Sequence, residues 1–99
     1  MKNTPAPWVV RAIHNRSIRY EIRAESGCVA DVWGDLPNDG IGKEEAAANS
    51  ALIAAAPELL GVLRDCLSYM DAMAVIRGGE ALELRDKCRS AIAQAEGRA

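Results

Sequence analysis

Pro57 stands inside "EEAAANSALIAAAPELLGVLRDCL", Glu44 to Leu67, a run otherwise built of helix-forming residues, and its position decides how many helices the chain can hold. Within a helix, proline lacks the N–H that would bond residue i−4, and its ring crowds that carbonyl, at a cost of about 3 kcal/mol; at a helix's first position the N–H has no partner to lose. Proline also pushes Ala56 away from helical angles, and Glu58 suits a helix N-terminus. The cheaper arrangement is a tight turn at Ala56, with one helix over 43–55 and a second over 57–76; a single kinked helix is the alternative.

The apolar spacing supports helices on both sides. Ala47, Ala48, Ala51, Leu52 and Ala55 recur at helical intervals behind Glu44 and Glu45, two acids suited to a first turn. Leu59, Leu60, Leu63, Cys66, Leu67, Met70, Met73 and Ala74 then form a continuous stripe. "RGGE" ends it, with Gly78 suited to the left-handed residue of a helix C-terminus. A third helix over 79–96 carries Ala81, Leu84, Cys88, Ala91, Ile92 and Ala95 on one face, so the last two helices are expected to form an αα-hairpin.

Ahead of the helices, residues 7–35 read as strands. Ile18, Tyr20, Ile22 and Ala24 alternate with Arg19, Glu21 and Arg23, a period of two that separates a buried face from a wet one. The flanking runs alternate Trp8, Val10 and Ala12 with Val9, Arg11 and Ile13, and Cys28, Ala30 and Val32 with Val29, Asp31 and Trp33. Only "HNRS" and "ESG" separate the three runs, and connections that short make them antiparallel. The reading is an α+β single domain over 1–99: a three-stranded antiparallel meander followed by three helices. A chain of 99 residues whose hydrophobic content leans on alanine and includes no phenylalanine has a thin core, which makes a homo-oligomer the expected state.

Charge narrows the function. The net charge of −2 argues against a general polyanion binder, yet residues 1–24 hold five basic groups against one acidic, a local +4, while the rest hold seven against thirteen, or −6. Cys28, Cys66 and Cys88 are odd in number and lack metal-type spacing, and no secretory segment or unbroken apolar run of 18 residues accompanies them, so reduced thiols in cytoplasm and no membrane association are expected. His14, the single histidine, sits at a turn, no serine has a base partner, and "DGIG" lacks the Lys-Ser/Thr ending of a phosphate loop. No catalytic set, metal or cofactor is expected.

The most suggestive polar set is Arg11, Arg19 and Arg23, with Arg16 from the turn and Trp33 beside them. Guanidinium groups on one strand face grip phosphates or carboxylates in pairs, and an exposed tryptophan near arginine is a common interface composition. The plainer reading is a solvated face in which cross-strand pairing with Asp31 adds a few tenths of a kcal/mol. Leu63, Leu67, Met70 and Met73, in excess of what the third helix can cover, are the expected oligomer interface.

The junction Asn49, Leu52, Ile53, Ala54 to Ala56, Pro57, Leu59 and Leu60, behind a meander ending in "VADVWGD", resembles small proteins of tailed phages and prophages that carry an N-x-x-L-I-A-A-A-P-x-L-L helix joint. The resemblance covers about a quarter of the chain and brings no catalytic residue with it. It implies a small, non-enzymatic phage protein that interferes with a host process or defence system, by binding a host protein stoichiometrically or by sequestering a small anionic, nucleotide-like signal. The alternative is a nucleic-acid binder using the basic sheet as a ribbon.

Overall fold

The computed structural model describes residues 3–14, 18–36, 40–77 and 79–97; Arg16 with its turn, Pro37 to Asp39 and Gly78 lie outside them. Three strands, β1 (Val9–His14), β2 (Ile18–Ala24) and β3 (Gly27–Gly34), precede two helices, α1 (Lys43–Arg77) and α2 (Glu80–Ala95). The chain divides into two compact units at Pro57: Thr4–Pro57, with the sheet and the start of α1, and Glu58–Ala99, with the rest of α1 and α2.

The sheet is the expected antiparallel meander, in the order β1-β2-β3. Its β2–β3 hairpin turns in two residues, Glu25 and Ser26, between the paired Ala24 and Gly27. Alternation gives two faces. The inner one holds Tyr20, Ile22 and Ala24, all buried, with Ile22 fully so. On the outer face Arg11 aligns with Glu21 and Asp31, and Ile13 with Arg19 and Trp33. Between Ile22 and Arg23 the register shifts: Ile22 faces Ala30 but Arg23 faces Cys28, leaving Val29 as the extra residue of a β-bulge. The bulge corrects the simple alternation read for β3, because it moves Cys28 from the row of Ala30 and Val32 to that of Arg23.

Helix α1 closes the inner face. Ala46 and Ser50, one turn apart, are both fully buried, and the Ser50 hydroxyl donates to the Ala46 carbonyl at 2.7 Å, which satisfies the one polar side chain at this contact. The approach is closest at Gly34, where a Cβ would lie 3.0 Å from that of Ala46 and 3.3 Å from the Lys43 Cα. Asp35 follows with a positive φ of 54°; its carboxylate accepts the Lys43 N–H at 3.0 Å and its own N–H donates to the Ile41 carbonyl at 2.9 Å. The end of β3 thus caps the start of α1, where Glu44 and Glu45 also complement the helix dipole.

Among the described residues there are two helices, not three. Pro57 lies inside a continuous α1 of 35 residues, and the expected break at Ala56 does not occur. The reason is capping. A break would expose up to four orphan N–H and four orphan C=O groups, and Ala54 to Ala56 supply neither the Ser, Thr, Asp or Asn of an N-cap nor the glycine of a C-cap. Keeping the helix forfeits one hydrogen bond and strains one carbonyl. By length and composition α1 is also long and apolar enough to cross a membrane, an 18-residue window within Lys43–Met73 having a mean hydropathy of 1.5, although its sequence is interrupted by polar residues.

In the second unit α1 and α2 form the expected helical hairpin. Cys88 and Ile92 of α2 are buried, and the Cys88 thiol lies 3.7 Å from the Met70 sulfur. Asp71 receives Arg89 at 2.9 Å and Arg85 at 3.7 Å, while Arg64 meets Glu96 at 2.6 Å. Gly79, with φ 55°, begins α2.

Gly34→Ala is expected to destabilise the protein by about 1–3 kcal/mol, because the added methyl must displace Ala46 or the Lys43 backbone; urea unfolding followed by circular dichroism measures it. Pro57→Ala restores a donor for the Ile53 carbonyl, so thermal unfolding is expected to show a gain of up to about 3 kcal/mol. A loss of stability there would mean that the chain needs a turn at this position.

Candidate functional site

The outer face of the sheet gathers all four residues singled out for binding. Arg11, on β1, shares a cross-strand row with Glu21 and Asp31; Arg19 and Trp33 share the next, and Arg23 lies beyond Glu21 on β2. The face is firm because the opposite one is closed by α1 around Ile22, Ala46 and Ser50.

Its electrostatics centre on Glu21. This carboxylate, 13% exposed, lies 3.7 Å from the Arg19 guanidinium and 3.6 Å from that of Arg23. Arg19 also reaches Asp31 at 3.6 Å, the cross-strand pair foreseen in the sequence. The same guanidinium carbon lies 5.5 Å from the centre of the Trp33 ring, within cation–π range, and the indole is 42% exposed. Arg11 makes no ion pair among the described residues, and Arg16 is outside them. Three guanidinium groups therefore meet two carboxylates. That balance suits a mixed surface of charged partners and an aromatic better than an anion grip, because both Arg19 and Arg23 already have counter-ions.

The sequence reading put Arg19, Glu21 and Arg23 on one face but missed two features of it. Glu21 pairs with both arginines, as its i±2 spacing to each allows. Cys28 arrives through the bulge, its thiol donating to the Ala30 carbonyl at 3.5 Å and to Asp31 Oδ1 at 3.7 Å. Ligand atoms of Glu21, Cys28 and Asp31 lie within 4.8 Å of one another, close enough to share a metal ion. Both carboxylates are already engaged by arginines, so the trio reads as part of the ion-pair lattice.

Elsewhere the chemistry is sparse. His14 ends β1, exposed, with its ring edge-on to Tyr20 at 6.3 Å. A shallow recess lined by Pro5, Ala6, Glu25 and Ser26 presents an acid and no base. Leu63, Leu67, Met70 and Met73, the expected oligomer residues, are half-buried, and Met70 meets Cys88 of α2. The exposed stripe of that unit is different: Leu59, Val62, Cys66 and Tyr69, with Tyr69 68% exposed.

A protein-family model described as Salmonella phage P22 protein Y8K6 matches residues 1–99 of the chain. The protein belongs to that family. Membership makes it a small phage protein. No curated protein and no solved structure matches it.

Glu21→Ala leaves two neighbouring guanidinium groups without their shared counter-ion and is expected to lower stability by about 1–2 kcal/mol, while Arg11→Ala stays within about 0.5 kcal/mol. Urea midpoints of the two variants against the parent chain check the contrast.

Proposed function

We propose that this phage protein is a non-enzymatic binding protein that attaches stoichiometrically to a host protein through the outer face of its sheet and thereby interferes with a host process or defence system. The observation that carries the reading is the exposed Trp33 with the Arg19 guanidinium held over it, on a sheet whose other face is buried along β2. Tryptophan and arginine are the side chains most often responsible for protein–protein affinity, and a partly neutralised surface pairs with a protein of mixed charge.

Sequestration of a small nucleotide-like signal is the second form of the same reading. Trp33 for stacking and the unpaired Arg11 for a phosphate favour it; the counter-ions on Arg19 and Arg23 weigh against it. Nucleic-acid binding is disfavoured on the same ground, since guanidinium groups already bonded to carboxylates release few counter-ions from a phosphate backbone. The action proposed is in the host cytoplasm, without cofactor or metal.

The test is to express the tagged protein in the host bacterium and examine what purifies with it by native mass spectrometry, beside Trp33→Ala and Arg19→Glu variants. One host protein in a fixed ratio is expected with the parent chain and at least tenfold less of it with either variant, while circular dichroism stays the same. A small-molecule mass in place of a protein would select sequestration. Equal recovery of the same partner by all three chains would remove the outer face from the account.

A further inference from the structure

β1 is bare on three sides. It is an edge strand, and none of its six residues is buried; Val9 is 62% and Val10 39% exposed. Its inner-face residues Val10 and Ala12 are exposed where the corresponding Tyr20 and Ile22 of β2 are covered, so α1 shields the neighbouring strand and leaves this one open. The other edge is treated differently: β3 carries the bulge and is met at Gly34 by a parallel bridge to Ile41. Among the described residues nothing pairs with the outer edge of β1.

Exposed edges are usually blunted by charged side chains, by proline or by a bulge. Val9–His14 has no proline or bulge and one charged residue, Arg11, which lies on the outer face, while Val9, Val10, Ala12 and Ile13 are apolar. In an antiparallel ladder alternate residues turn both N–H and C=O away from the neighbour, so the free edge offers a row of donors and acceptors at the spacing another antiparallel strand needs.

We infer that β1 pairs antiparallel with β1 of a second copy, about a two-fold axis normal to the sheet, joining two meanders into one six-stranded sheet. An antiparallel strand supplies what its own copy lacks, so the seam is self-complementary. Faces are kept only when residues of like parity lie opposite. Centring on Arg11 would set two guanidinium groups against each other, whereas centring on Ala12 sets Arg11 against Ile13 and Val10 against His14 of the second copy. Arg11, the one formally charged residue of the strand, then keeps its own Glu21 as the neighbour on its other side. Charge therefore selects the Ala12 register. The two outer faces become continuous, with Arg19 and Trp33 of each copy on the same side. The inference is independent of the proposed host partner, because the purified protein alone reports it.

The experiment measures the mass of the full chain in solution by light scattering and ultracentrifugation, with three variants. The parent chain is expected at twice its 10.6 kDa. Ala12→Lys, at a position exposed in the single copy, is expected to weaken the dimer at least tenfold while circular dichroism is retained; Leu59→Glu, on the exposed stripe of α1, is expected to leave it intact. With Cys28 and Cys66 replaced by serine, Ala12→Cys is expected to cross-link to itself on oxidation, since directly opposed residues bring their Cα atoms within disulfide range. A parent chain that stays monomeric at tens of micromolar overturns the inference, as does a dimer broken by Leu59→Glu and untouched by Ala12→Lys.

Discussion

The contact on which the sheet-bearing unit depends is the approach of α1 to the end of β3. Gly34 makes it possible by having no side chain where Ala46 must sit, and Asp35 fixes it by accepting the first helical N–H. A small sheet stands by burying an apolar face, and here Tyr20, Ile22 and Ala24 are buried on the side where Gly34 meets Ala46 of the helix. The firmness of the outer face follows. Arg19 and Trp33 project from a strand pair held from behind, so little conformational entropy is left to lose when a partner arrives.

The outer face in turn is an electrostatic compromise. Glu21 and Asp31 absorb most of the charge of Arg19 and Arg23, and the ion pairs are partly exposed, so each contributes little to stability. Their consequence is geometric. Arg19 is held between two carboxylates and an indole. On the proposed function, a surface organised in this way would discriminate by shape and by paired charge rather than by net attraction, in keeping with a chain whose net charge is −2.

Much of the sheet was legible in the sequence because period-two alternation around Tyr20 and Ile22 has one solution when connections are short. That Arg19, Arg23 and Trp33 share one face was legible for the same reason: alternation sends them to one side. Cys28 was misread because a bulge leaves no mark in apolar spacing. Pro57 was misread because the local cost of proline was weighed without the cost of two new helix ends, although the missing caps stood in Ala54 to Ala56 all along. The partner of Gly34 was hidden for a different reason, since a close approach between residues 34 and 46 is tertiary and no local pattern announces it. Met70 shows the converse limit: periodicity identifies an apolar stripe but not that this residue of it meets Cys88 of the neighbouring helix.

The family match over residues 1–99 gives this chain an origin in a phage lineage; the function proposed for it is binding through the outer face of the sheet. The most direct measurement of that claim is site-specific photo-crosslinking during infection, with the photoreactive residue at position 33 and a control at the exposed Glu83 of α2. A single host protein joined reproducibly from position 33 and not from position 83 is the result predicted. Adducts that are the same from both positions, or none from position 33 while the protein is abundant and folded, would contradict it.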